Sequence, residues 1–202
     1  GTARLLRAVD RAHVKWFTLA SSMAVYSDAP SPAPIDERHP KRPLSPYGVG
    51  KLAAEDVSAQ ILEARGIPFT ATRFFNTYGP GQTYTPYVGV LTIFITRLLR
   101  GESITIFGDG EQQRDFIHVK DIVAGAMATP GRDPGRYNLG TGRGTSLNQL
   151  AAMVLAQLAP GQKPKYAEAQ AGELRFSVAD ISAARRALGV SPTRSLERDL
   201  DD

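Results

Sequence analysis

Ser45-Pro46-Tyr47-Gly48-Val49-Gly50-Lys51 decides how this chain folds and what it offers chemically. Ser45 has the side chain of an N-cap and Pro46 suits a first helical position, so a helix is expected from Pro46 to Ala64, stopping at Arg65-Gly66. Tyr47 and Lys51 then lie one above the other on a single helix face. A positive charge fixed beside a phenol favours the phenolate, which makes a tyrosine a usable base. Taken alone, the five-residue pattern also describes a partly buried tyrosine beside a surface lysine.

The flanks add context. Trp16–Ala20 is a short, mostly apolar strand, followed by the turn Ser21-Ser22-Met23-Ala24-Val25-Tyr26. Pro68–Phe75 reads as a second strand, closed by Asn76 and Tyr78-Gly79-Pro80-Gly81. Before them, Thr2–Ala12 carries the stripe Leu5, Leu6 and Val9 of a helix already under way. Between turn and helix, Ser27–Pro46 is a long, proline-rich loop. Helix, strand, loop, helix, strand is the rhythm of an α/β protein with a parallel sheet. Serine at the end of one strand and asparagine at the end of the next suit a site at the carboxyl ends of parallel strands. Ser22 also reads as a turn serine that satisfies nearby backbone.

Beyond Gly79 the pattern is mixed. Helices are expected at Val88–Arg100, Asp121–Ala128, Leu147–Leu158 behind Ser146, and Ile181–Leu188 behind Asp180. Ile104–Phe107 and Gln113–Val119 read as two strands around the turn Gly108-Asp109-Gly110, and Arg136–Gly140 as another strand. The 202 residues carry 42% hydrophobic and 22% charged side chains, enough for one ordinary domain with a real core. With no cysteine, disulfides, thiolate metal sites and cysteine nucleophiles are excluded, and a reducing, cytoplasmic setting fits. The net charge of +4 is dispersed; no basic stripe points to nucleic acid, and no apolar run has the length of a membrane span.

Four stretches together carry a resemblance: Ala20-Ser21-Ser22-Met23-Ala24-Val25-Tyr26, the Ser45–Lys51 run, Arg73-Phe74-Phe75-Asn76-Thr77-Tyr78-Gly79-Pro80, and Arg114-Asp115-Phe116-Ile117-His118-Val119. In this order the series resembles the extended short-chain dehydrogenase/reductases. Within them it resembles the NAD-dependent nucleotide-sugar epimerase/dehydratase family, with UDP-glucose 4-epimerase as the best-known relative. The fold this implies is the C-terminal part of a Rossmann-type doubly wound parallel sheet plus a small α+β substrate-binding domain. Residues 1–78 would belong to the NAD-binding part and 79–202 mainly to the substrate-binding part, with segments around 116–140 returning to the sheet.

The resemblance implies roles as well. Tyr47 would take the proton from the sugar 4-hydroxyl, Lys51 would favour its phenolate and hold the nicotinamide ribose, and Ser22 would share the hydrogen bond to the sugar oxygen. Ala20, Ser21 and Phe74 would lie along NAD. Asn76 and Arg114 would meet the substrate diphosphate, Phe107 the nucleotide base, and Glu173 a ribose hydroxyl. On the residues alone, Arg114 is equally a surface arginine beside Asp115, Phe107 a core aromatic, and Glu173 a solvated carboxylate. No metal is implied, and the full-length protein is expected to be a homodimer.

Departures from the family pattern sharpen this expectation. Met23 and Ala24 stand where the 4,6-dehydratases and decarboxylases carry an acidic residue, which favours 4-epimerisation of the UDP-glucose/UDP-galactose type through a 4-keto intermediate. Another dehydratase or reductase chemistry, or a non-catalytic sugar-nucleotide binder, is the alternative. Gln170 replaces a frequent phosphate-binding arginine and leaves the nucleotide preference open. The glycine-rich strand–turn–helix of the cofactor site is not in the sequence, so roughly half of the nucleotide-binding sheet is expected to be missing. A polypeptide without it is expected to be inactive alone, poorly stable or self-associating, and weak for NAD.

Overall fold

Chain order begins with α1 (Thr2–Ala8), β1 (Phe17–Ser22), a 3-10 turn at Met23–Val25, and α2 (Pro46–Ala64). The structure, a computed structural model, describes residues 1–9, 13–85, 88–169 and 174–200. Asp10, Arg11 and Ala12 of the expected first helix lie outside them. α2 has the expected bounds for the expected reason: the Ser45 hydroxyl accepts from the Gly48 N–H at 3.1 Å, and Pro46 fills the first turn. β2 (Phe69–Phe74) lies parallel to β1, with Phe17 opposite Phe69 and Ser22 opposite Phe74. The chain then enters β3 (Asn76–Tyr78) and α3 (Val90–Leu99).

Short strands follow: β4 (Thr105–Phe107), β5 (Gln113–Arg114) and β6 (Phe116–His118), then α4 (Val119–Met127) and β7 (Gly135–Leu139). The remainder is β8 (Thr145–Ser146), α5 (Leu147–Leu158), β9 (Lys165–Ala167), β10 (Phe176–Ser177), α6 (Ser182–Leu188) and α7 (Leu196–Asp199). β7 returns beside β2, giving a parallel sheet in the order β1-β2-β7. β6 pairs in parallel with β3 in a separate ribbon.

The expected hairpin around Gly108-Asp109-Gly110 does not form. β4 pairs instead with β9, in parallel, while β5 sits between β10 and β8. The turn itself is present, with Gly108 and Gly110 both at positive φ, 76° and 77°. It is closed by the Gln112 amide donating to the Phe107 carbonyl and by the Asn148 N–H donating to the Gly110 carbonyl. Those contacts steer the outgoing strand away from the incoming one. Asp180 also acts one step earlier than a cap, accepting from the Ser182 N–H at 2.8 Å just ahead of α6.

Beside a small apolar cluster of Leu6, Leu62 and Ile67 between α1 and α2, two larger ones hold the chain. One lies against the β1-β2-β7 sheet and includes Val25, Phe75, Ile117, Leu139, Ile181 and Leu188. The other lies under α3 and α5, where Leu91, Phe94, Ile104, Ile106, Leu150 and Val154 meet. Each fully buried side chain of this kind contributes about 1.5–3 kcal/mol. A reciprocal capping box between Ser146 and Gln149 fixes the start of α5. β3 and β6 run between the two clusters, since Phe75 belongs to the first and Tyr78 and Phe116 to the second. A cleft opens along that seam.

Candidate active site

α2 starts at the cleft, and its placement depends on Gly48. A Cβ on Gly48 would run into the Ala24 carbonyl and lie 2.8 Å from Pro43 Cβ, so only glycine lets the first turn press against the 3-10 turn. Tyr47 is thereby held at the cleft rim and is 58% exposed. Lys51 lies beside it with Nζ 5.6 Å from the ring centroid. The same ammonium donates to the Ala20 carbonyl at 2.8 Å, which ties it to the end of β1. An ammonium has three donors, so Lys51 keeps others to offer a ligand.

Ser22 ends β1 and caps the 3-10 turn, its hydroxyl oxygen accepting from the Ala24 N–H at 3.2 Å. The local role that the sequence allowed is therefore real, and it still leaves the hydroxyl proton to donate.

The cleft measures about 760 Å³ and is lined by Ser45, Pro46 and Tyr47 on one side and by Phe75–Tyr78, Gln82, Gly89, Leu91 and Phe116 on the other. No carboxylate, histidine, lysine or arginine is among those lining residues. Asn76 supplies its most telling feature. Its backbone N–H is bound to the Asp115 carbonyl at 2.9 Å, but its side-chain Nδ2 is buried with no acceptor among the described residues. A buried amide left without an acceptor costs about 1–3 kcal/mol, and here it faces a cavity of ligand size.

The other expected residues are more scattered. Phe74 is half-buried against the sheet cluster. Phe107 is half-buried in β4 opposite Ala167, and Arg114 in β5 donates from Nη1 to the Gln113 carbonyl at 2.9 Å; neither lines the cleft. Glu173 and Gln170 lie outside the described residues. Ser21 is only 2% exposed and turns its hydroxyl inward to Glu55, so its backbone alone is on offer to a cofactor.

Behind the site lies a polar network that motif reading passed over. Glu55, fully buried on α2, accepts from Ser21 Oγ at 2.5 Å, from Arg73 Nε at 2.9 Å and Nη2 at 2.6 Å, and from Arg136 Nε at 3.2 Å. Burial works to raise the Glu55 carboxyl, but the Arg73 hydrogen bonds and charge, with Ser21 and Arg136, hold it below the ordinary carboxylate range. Arg73 also donates to the Tyr26 hydroxyl at 2.8 Å, which donates to Asn138 Oδ1 at 2.6 Å. Burial pushes the Tyr26 phenol up to about 12, so it stays a donor. One signal was legible: an arginine inside the buried strand Phe69–Phe74 demands a buried partner.

Residues 1–140 match the profile of the NAD dependent epimerase/dehydratase family. The chain belongs to that family. A putative UDP-glucose 4-epimerase of Methanocaldococcus jannaschii is 32% identical over 200 residues, covering 99% of this chain and 65% of the relative. The UDP-glucose 4-epimerase of Thermotoga maritima, solved with UDP-glucose, superposes with a TM-score of 0.92 at 34% identity, covering 98% of this chain and 65% of that one. The Thermus thermophilus UDP-glucose 4-epimerase, solved with NAD, gives 0.87 at 28% identity and covers 98% and 66%. This family member thus has the Rossmann-type α/β fold of those structures and spans just under two thirds of their length. Among the described residues no helix is long and apolar enough to cross a membrane.

Proposed function

We propose that this family member forms the base and substrate side of an NAD-dependent 4-epimerase acting on UDP-sugars of the glucose/galactose type. One observation carries the reading: Tyr47, with Lys51 beside it, shares a cleft with the Asn76 amide, and the described lining residues include no carboxylate, histidine, lysine or arginine and one other phenol, Tyr78, whose hydroxyl is committed to Asp199. Epimerisation at C4 needs a single proton carrier, whereas elimination of water needs a further acid or base.

Tyr47 takes the proton of the sugar 4-hydroxyl and returns it to the same oxygen, so the reaction is balanced with no net oxidation. Lys51 favours the phenolate form and offers its spare donors to the nicotinamide ribose. Ser22 donates to the sugar oxygen while its own oxygen stays tied to Ala24. Asn76 donates to the substrate diphosphate with Arg114; Phe107 and Glu173 serve the nucleoside. The open end of β1, with the Ala20 and Ser21 backbone and the Lys51 ammonium, fits a cofactor, and Phe74 lies along it. NAD, when bound, supplies the reversible oxidation of the sugar C4.

The test is interconversion of UDP-glucose and UDP-galactose by the natural protein carrying this sequence, with Tyr47→Phe as the control. Loss of general-base action predicts a fall of about 10²–10⁴-fold in turnover. Unchanged turnover in Tyr47→Phe removes the tyrosine from this role, and a product lighter by one water favours a dehydratase instead. Sedimentation of the same preparation tests the accompanying homodimer, which the exposed Val49 and Val57 of α2 support.

A further inference from the structure

We propose that Ser21, Glu55 and Arg73 form a positioning link that sets the reach of Tyr47 and Lys51, an inference that rests on the 4-epimerase reading. A fully buried carboxylate and guanidinium are costly to desolvate, and an apolar pair of similar volume commonly does as well for stability. Stability alone therefore gives little reason for Glu55 and Arg73, whose side chains are both wholly buried. Their geometry gives a better one.

Glu55 ties α2 to each strand of the sheet at once: to β1 through Ser21, to β2 through Arg73 and to β7 through Arg136. It lies one helical turn beyond Lys51 and two beyond Tyr47. Ser21 stands between Ala20, whose carbonyl holds Lys51, and Ser22, whose hydroxyl heads the 3-10 turn. The Ser21–Glu55 and Ala20–Lys51 bonds are thus consecutive rungs between β1 and α2, and the Gly48–Ala24 contact is the stop above them. With the rungs in place, the tyrosine and the end of β1 cannot slide past one another.

Asn76 reaches the cleft from β3, which has no part in the link. Loosening a rung therefore spreads the distance from Tyr47 to the sugar oxygen while leaving the Asn76 side of the binding surface intact. Proton transfer suffers and binding does not.

Ser21→Ala removes one hydroxyl and keeps the Glu55–Arg73 pair, and Ser21→Thr keeps a hydroxyl as the conservative rescue. In the natural protein loaded with NAD, kcat, KM for UDP-glucose and amide hydrogen exchange are measured for each. We expect Ser21→Ala to lower kcat about ten- to a hundredfold, with KM within about twofold and most of the loss recovered in Ser21→Thr. Exchange of the Gly48–Leu52 amides should quicken about fivefold or more while that of α5 stays unchanged. Wild-type kcat and exchange in Ser21→Ala overturn the link, as does a change in KM alone or a loss of kcat that comes with loosening of α5. If the wild-type protein does not interconvert the two sugars, the 4-epimerase reading fails and exchange alone decides: quickening confined to α2 supports the link, and its absence overturns it.

Discussion

Gly48 and Gly50 sit two residues apart in the same helix, and alanine should act on them with opposite sign. A Cβ at Gly50 meets nothing within 4 Å, whereas one at Gly48 overlaps the Ala24 carbonyl and stands 2.8 Å from Pro43 Cβ. Gly50→Ala should therefore show the bare propensity gain, about 0.5–1 kcal/mol of added stability. Gly48→Ala gains at most as much and loses about 1–3 kcal/mol to overpacking, so its net effect is a loss. Restoring ordinary carbon contacts of about 3.5 Å requires the first turn of α2 to retreat by roughly 1 Å. Tyr47 travels with it, and a shift of that size costs on the order of 10²-fold in turnover. Urea denaturation of the natural protein and its two variants, with turnover assayed beside it, measures both effects. Equal stabilisation by the two alanines, with turnover intact, would refute the close approach of α2 to the 3-10 turn.

Two other predictions concern buried polar groups. Because Glu55 is held below the ordinary carboxylate range, its contribution is complete above the unfolded value near ~4.3 and is lost as pH falls through the folded one. Glu55→Gln, which leaves Arg73 uncompensated, should cost about 3–5 kcal/mol at neutral pH, and that cost should shrink on acidification below about pH 4; a pH-independent gap in urea midpoint contradicts this. Asn76→Ala removes an amide with no acceptor among the described residues, so stability should hold or rise by up to about 1 kcal/mol. Binding of UDP, measured by calorimetry, should weaken about ten- to a hundredfold; unchanged affinity with unchanged stability would mean that Asn76 meets no ligand.

Local chemistry determined the start of the site. A serine cap, a proline in the first turn and a four-residue spacing act within one helix, so Pro46–Ala64 and the Tyr47–Lys51 face were legible without any distant neighbour. The motif series added the family, because such residues are recognised one position at a time. Strand pairing was less accessible: β4 takes β9, sixty residues on, as its partner, and nothing in Ile104–Phe107 or Gln113–Arg114 encodes that choice. Likewise, the arginine in β2 announced that it needed a partner but not that the partner is Glu55 on α2, in a bond shared with Ser21. Whether the Asn76 amide is satisfied or open depends on what surrounds it in space. Caps and helix spacing are interactions between neighbours in the chain. Register, burial and an unpaired donor exist only once distant segments have packed, and for that reason only the tertiary structure shows that Tyr47, with Lys51 beside it, faces the same cleft as Asn76.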